Sequence, residues 1–156
     1  MNSKFNKRRL VVTMALAGAA VVFAGCSQMQ SMSSSMSSAA GGGQAVTLSG
    51  SSEVPPVTTT ASGSGTVNIK PDRTVTANIT ITGMTPTAAH IHEAAAGANG
   101  PVIVPFTKIG DNRFEAPAGA QITEAQYSAY KAGNLYVNVH SAKNPGGEIR
   151  AQLKGN

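Results

Sequence analysis

Three histidines are the residues of this chain best suited to chemistry, and all lie in its second half: His90 and His92 in Ala89-His90-Ile91-His92-Glu93, and His140 closing Leu135-Tyr136-Val137-Asn138-Val139-His140. Residues i and i+2 of a β-strand project from one face roughly 6.5–7 Å apart, so two imidazoles can turn toward one ion at about 2.0–2.1 Å. Tyr136, Asn138 and His140 alternate with Leu135, Val137 and Val139, which assigns His140 to the polar face of its strand. If the two strands meet, a three-imidazole site with an open position results, suited to Cu(II) or Zn(II). The competing expectation is that the histidines are partly exposed strand residues donating hydrogen bonds to loop carbonyls.

The elements that must position these rings read as β-structure. Over 44–156, short runs rich in Val, Ile and Thr alternate with turn residues, the pattern of an antiparallel β-sandwich, Greek-key-like, with one short helix. Strands are expected at 46–48, 65–69, 75–81, 88–92, 102–106, 113–116, 135–140 and 148–153. The Pro71-Asp72-Arg73 turn leads into Val75 to Ile81, where every second residue is apolar, so one face is buried. Thr123, with Gln126 three residues on, predicts a capping box. Ile122 and Tyr127 form its hydrophobic staple, and Gly133 stands where the helix should end.

The first 25 residues carry an address. Lys4, Lys7, Arg8 and Arg9 precede an apolar run from Leu10 to Val22, and Phe23-Ala24-Gly25 leads to Cys26, the one cysteine of the chain. The pattern is that of an export signal, and it resembles a bacterial lipoprotein signal peptide with Cys26 as the lipidated residue. Phe23 departs from the aliphatic residue usual there. Acylation also gives a purpose to a lone thiol in an oxidising compartment. Ser27 stands where lipoproteins retained in the inner membrane often carry Asp, so the resemblance implies the outer membrane. The expected organisation is a signal peptide over 1–25, lipidated Cys26 with a flexible linker over 26–43, and one domain over 44–156. Met29, Met32 and Met36 in the Ser-rich linker are spaced irregularly and read as idle tether residues rather than thioether ligands.

Charge excludes one class of partner. The chain has 12 basic and 7 acidic residues, a net charge of +5. Without the four basic residues of the signal, eight remain against seven acids, a net charge of +1. The remaining Lys and Arg are scattered from Lys70 to Lys154 with no patch, so no nucleic-acid partner is expected. Nor is there a nucleophile triad, a paired-carboxylate motif or a Gly-rich phosphate loop. Glu53 beside Pro55-Pro56 and Glu148 beside Gly146-Gly147 read as solvated, turn-flanking charges.

Three segments in order resemble the CHRD domain, named for repeats of the animal protein chordin and found in bacterial exported proteins. They are Leu48-Ser49-Gly50-Ser51-Ser52-Glu53-Val54-Pro55-Pro56-Val57, Ala89-His90-Ile91-His92 with Gly97-Ala98-Asn99-Gly100-Pro101-Val102, and Gly133 to His140 with Asn144-Pro145-Gly146-Gly147-Glu148-Ile149-Arg150-Ala151-Gln152-Leu153. Glu93 and Ala94 depart from the Gly common after the His pair. The resemblance implies a β-sandwich-like extracytoplasmic module and brings no enzymatic activity with it. A non-catalytic envelope module with an unidentified protein or envelope partner is therefore expected.

The two histidine strands also resemble the copper-binding strands of copper-zinc superoxide dismutases. That likeness implies His90, His92 and His140 as copper ligands and Arg150 as a cation near the opening; Asn138 and Glu93, which lie beside the histidines in sequence, are the other candidate neighbours of the site. No counterpart of the bridging histidine, the zinc ligands or the disulfide is present, so dismutase activity is not expected.

Overall fold

The computed structural model describes residues 43–155, so the signal, Cys26 and almost all of the linker lie outside the described residues. Nine antiparallel strands follow in chain order: β1 Gln44–Ser49, β2 Ser62–Ile69, β3 Val75–Thr82, β4 Pro86–Glu93, β5 Val102–Pro105, β6 Thr107–Gly110, β7 Arg113–Glu115, β8 Leu135–Ser141 and β9 Ile149–Leu153. They form one sheet in the order β5-β4-β8-β9-β1-β2-β3-β7-β6. The expected all-β fold is thus present.

The sheet curls until its ends approach. β5 and β6 are the terminal strands and are consecutive in the chain, separated by Phe106 alone. The Phe106 N–H donates to the Ala89 carbonyl of β4 at 2.9 Å, and Lys108 Nζ on β6 donates to the Pro86 carbonyl at 2.9 Å. The nearly closed sheet encloses a core in which Leu48, Ile79, Ile91, Leu135, Val137, Val139 and Ile149 have no exposed surface.

The β2–β3 hairpin forms as its turn chemistry dictates. Asp72 Oδ1 accepts from the Thr74 N–H at 2.9 Å, and Arg73 takes a φ of 69°. A short polar side chain that bonds the backbone two residues on favours such a tight reversal. The alternating face of β3 buries Val75, Ile79 and Ile81.

Helix α1 spans Glu124–Lys131 and has both capping-box bonds, Gln126 N to Thr123 Oγ1 at 3.2 Å and Thr123 N to Gln126 Oε1 at 2.8 Å. Gly133 ends it at φ 75°.

Two departures from the sequence expectations bear on the site. β6 was absent from the expected strands because Thr107, Lys108, Ile109 and Gly110 are all exposed and show no apolar alternation. β8 was expected to have one wet face, yet Tyr136 and Asn138 are 2 % exposed. A loop over 94–100 and the Glu53 segment cover that face.

Candidate metal centre

The pairing of β4 with β8 brings the histidines together. Its register sets His90 opposite Asn138, His92 opposite Tyr136 and Ala88 opposite His140. Each imidazole offers one nitrogen, and the three nitrogens all lie within 4.8 Å of one another. His90 Nδ1 and His140 Nε2 are already 2.9 Å apart. Nitrogens bound to a common ion at about 2.0–2.1 Å stand roughly 3.0–3.5 Å from each other, so side-chain adjustments of roughly 1 Å complete the set.

The hydrogen bonds fix the tautomers. His92 Nδ1 lies 2.9 Å from the Gly100 carbonyl, and His140 Nδ1 lies 2.9 Å from the Pro145 carbonyl. A carbonyl only accepts, so both Nδ1 atoms carry hydrogen and both Nε2 atoms present a lone pair. His140 Nε2 takes the hydrogen of His90 Nδ1. His92 Nε2 is buried and has no partner at all. The three rings converge, and two of them, His92 and His140, bond loop carbonyls while His90 bonds His140 instead, so the carbonyl bonds orient two of the converging rings.

Electrostatics favour the neutral form of His90 and His140. Burial, then the neighbouring His140 and His92, hold His90 down to about 4. Burial and His92 also lower His140, against the opposing effect of the Pro145 carbonyl. A neutral imidazole is the form that ligates.

A stacked column supports His92. Its ring lies parallel to Tyr136, with centroids 4.8 Å apart at 7°, and the Arg150 guanidinium sits 3.4 Å from the Tyr136 ring centroid. Tyr136 Oη accepts from the Gly100 N–H at 3.3 Å, so ring and imidazole hold the same loop residue. A Cβ at Gly100 would fall 1.8 Å from the Glu93 carbonyl oxygen, which restricts the position to glycine. Glu93 contributes through its backbone, its N–H donating to Pro101 at 3.1 Å.

Arg150 differs from its expected place at an opening. It is 1 % exposed and donates to Ala98 O at 2.9 Å, Asn99 Oδ1 at 3.2 Å and Gln152 Oε1 at 3.2 Å. Asn99 in turn donates to Val54 O at 2.7 Å. The loop over 94–100 is thus tied across β8 and β9, with the cation beneath it.

Two carboxylates that sequence reading left in solvent are also buried, each 5 % exposed. Glu148 accepts from Thr59 Oγ1 at 2.7 Å and from Ser141 Oγ. Burial alone would raise its pKa, but bonds from Ser141, Thr59 and Asn144 and the nearby Lys143 bring it below the usual value. Burial raises Glu53 instead, against the pull of Arg150, the Val54 backbone and Asn138. Glu53 Oε1 and Asn138 Oδ1 are buried and unpartnered. Thr59 for Glu148, and Asn138 and Arg150 for Glu53, come from distant segments, which no local pattern around either glutamate announces.

A cleft of about 400 Å³ adjoins this region, lined by residues that include Glu53, Asn99, Lys143 and Pro145. A larger one, about 580 Å³, lies between Thr58–Thr60 and Gly83–Thr85 and contains none of the histidines.

No curated protein and no solved structure matches the chain. The family model of the CHRD domain does match, over residues 44–153, and covers every strand described above. The chain therefore belongs to the CHRD domain family.

Proposed function

We propose that this protein is a lipid-anchored, non-catalytic module of the cell envelope whose CHRD domain binds a transition-metal ion, copper above all, through His90, His92 and His140. One observation carries the metal: a buried His92 Nε2 without a hydrogen-bond partner, its lone pair exposed by the bond from Nδ1 to Gly100, beside two further imidazoles. An orphaned buried acceptor costs about 1–3 kcal/mol, and a metal ion relieves it. Copper supplies a Lewis-acidic, redox-capable centre. The chain supplies neutral nitrogen donors, the carbonyls of Gly100 and Pro145 that orient two of them, and the loop that shields them.

The export signal and Cys26 support the anchor, and the address they imply is the outer membrane. The absence of a catalytic constellation in the sequence supports a binding role over an enzymatic one. A protein or other envelope component remains the second kind of partner, served by the loops around the domain.

Titration of the full chain, purified in detergent, tests the metal. One equivalent of Cu(II) or Cu(I) should bind, with at least a hundredfold loss of affinity in His92→Ala. Equal binding by wild type and His92→Ala would refute the site.

A further inference from the structure

Arg150 is a buried cation that touches no carboxylate. Its three hydrogen-bond acceptors, Ala98 O, Asn99 Oδ1 and Gln152 Oε1, are all uncharged. The ion pairs among the described residues, Arg73 with Glu124 and Arg113 with Glu115, do not include it. Glu53 is the acid whose charge reaches it, but the two side chains form no ion pair. A guanidinium stays protonated under all ordinary conditions, and buried charges are usually paired. A positive charge without a direct ion-pair partner among the described residues therefore stands beneath the site.

Its position matters for the ion above. Tyr136 is sandwiched between the guanidinium at 3.4 Å and the His92 ring at 4.8 Å, so the cation lies one aromatic ring away from a ligand. The three ligands are neutral imidazoles, and no carboxylate or thiolate belongs to the set. Nothing in that set cancels the charge of an incoming metal. Coulomb repulsion from a fixed cation grows in proportion to the charge of the ion, and it is stronger in a buried site than in water. A monovalent ion is penalised half as much as a divalent one. Zn(II) and Cu(II) would need a further ligand in the position that three histidines leave open, so the choice among the ions falls to the charge around the site.

We infer that the three-histidine centre is a cuprous site, holding Cu(I) in preference to Cu(II) and Zn(II), with Arg150 as the positioning residue that sets the preference through the Tyr136–His92 stack. This rests on the metal-binding reading above and specifies its ligand.

The test uses the full chain in detergent. Cu(I) affinity is measured under ascorbate by competition with bicinchoninate, and Cu(II) affinity in air by competition with nitrilotriacetate, for wild type, Arg150→Met and Arg150→Lys. Wild type should bind Cu(I) more tightly than Cu(II). Arg150→Met should lower the ratio of the two affinities at least tenfold, equivalent to about 59 mV for one electron. Arg150→Lys, which keeps the charge, should stay near wild type. A purely structural role for Arg150 would weaken both ions alike and leave the ratio unmoved, which overturns the inference while sparing the metal site. A wild-type preference for Cu(II) also overturns it, and does so even if both variants misfold. A wild type that binds neither ion removes the metal reading and this one with it.

Discussion

His90 and His140, fifty residues apart in the chain, stand with Nδ1 and Nε2 at 2.9 Å, joined by a single hydrogen. The bond is possible because His140 commits its other nitrogen to Pro145 O. In the metal-free protein the same hydrogen occupies the place where an ion would go.

All three rings should therefore be Nδ1–H tautomers before metal is added, which long-range proton–nitrogen correlation spectra of labelled protein at pH 7 read directly. Loading with Zn(II) as a diamagnetic probe should shift the Nε2 resonances of His92 and His140 and abolish the bond between His90 and His140. An Nε2–H tautomer at His92 would remove the bond to Gly100 as the source of its free lone pair.

Acid should destabilise the fold in a defined window. Burial and its two neighbours hold folded His90 at about 4, below its ordinary 6.5, and His140 is lowered too. The unfolded chain thus takes up protons first, so this stability is complete above pH 6.5 and is lost as the pH falls toward 4. Glu148, lowered from 4.5, adds a loss at still lower pH. Glu53, raised from 4.5, acts in the opposite sense, because its folded form retains a proton longer as the pH rises. Thermal melts from pH 7 to 4 should show a falling Tm, and His90→Gln should flatten the upper part of that decline. An unchanged slope in His90→Gln would contradict the assignment.

Removal of the buried carboxylate at Glu148 should be costly. Glu148→Ala leaves Thr59 Oγ1 and Ser141 Oγ without their acceptor, and the loss of charged hydrogen bonds is worth about 2–4 kcal/mol. Urea unfolding should show that decrease. A change below about 0.5 kcal/mol, the scale of an ordinary surface substitution, would return Glu148 to the solvated role that its turn-flanking position implies.

Much of the site was legible in the chain, and the limits have physical causes. His90 and His92 declare themselves by their i, i+2 spacing, and His140 by alternation within Leu135 to His140. Their meeting depends on β4 pairing with β8, a contact bridging more than forty residues that no local pattern encodes. Alternation also predicted a wet face for β8, because it registers polarity and not coverage. Tyr136, Asn138 and Arg150 are polar and yet buried, since the loop over 94–100 closes on them through Ala98, Asn99 and Gly100. The capping box of α1 was readable in full because its four partners lie within four residues.

The loop can be tested at one atom. Gly100→Ala would place a methyl 1.8 Å from the Glu93 carbonyl oxygen, so the turn must open and both the His92 and Tyr136 anchors must shift. A loss above about 3 kcal/mol is expected, in the range reserved for backbone clashes. Gly97→Ala serves as the control within the same loop: nothing lies within 4 Å of its added methyl, and its penalty comes from φ 81° alone. Equal stability of Gly100→Ala and wild type would show that the loop does not depend on this close approach.

The proposed membrane attachment through Cys26 should be separable from the fold. Cys26→Ser should move the protein from the membrane fraction to the soluble fraction after lysis, with metal affinity unchanged. Retention in the membrane would identify the apolar run from Leu10 to Val22 as an anchor in its own right.

The seam at Phe106 bears on how neighbouring copies of the domain would meet. Exposed strand borders invite neighbouring chains to add on. Here both borders are only four residues long, Pro105 interrupts one of them, and Lys108 of the other is already engaged with Pro86. Short borders of this kind, one ended by proline and the other engaged across the seam, offer a neighbouring copy little template for adding a strand.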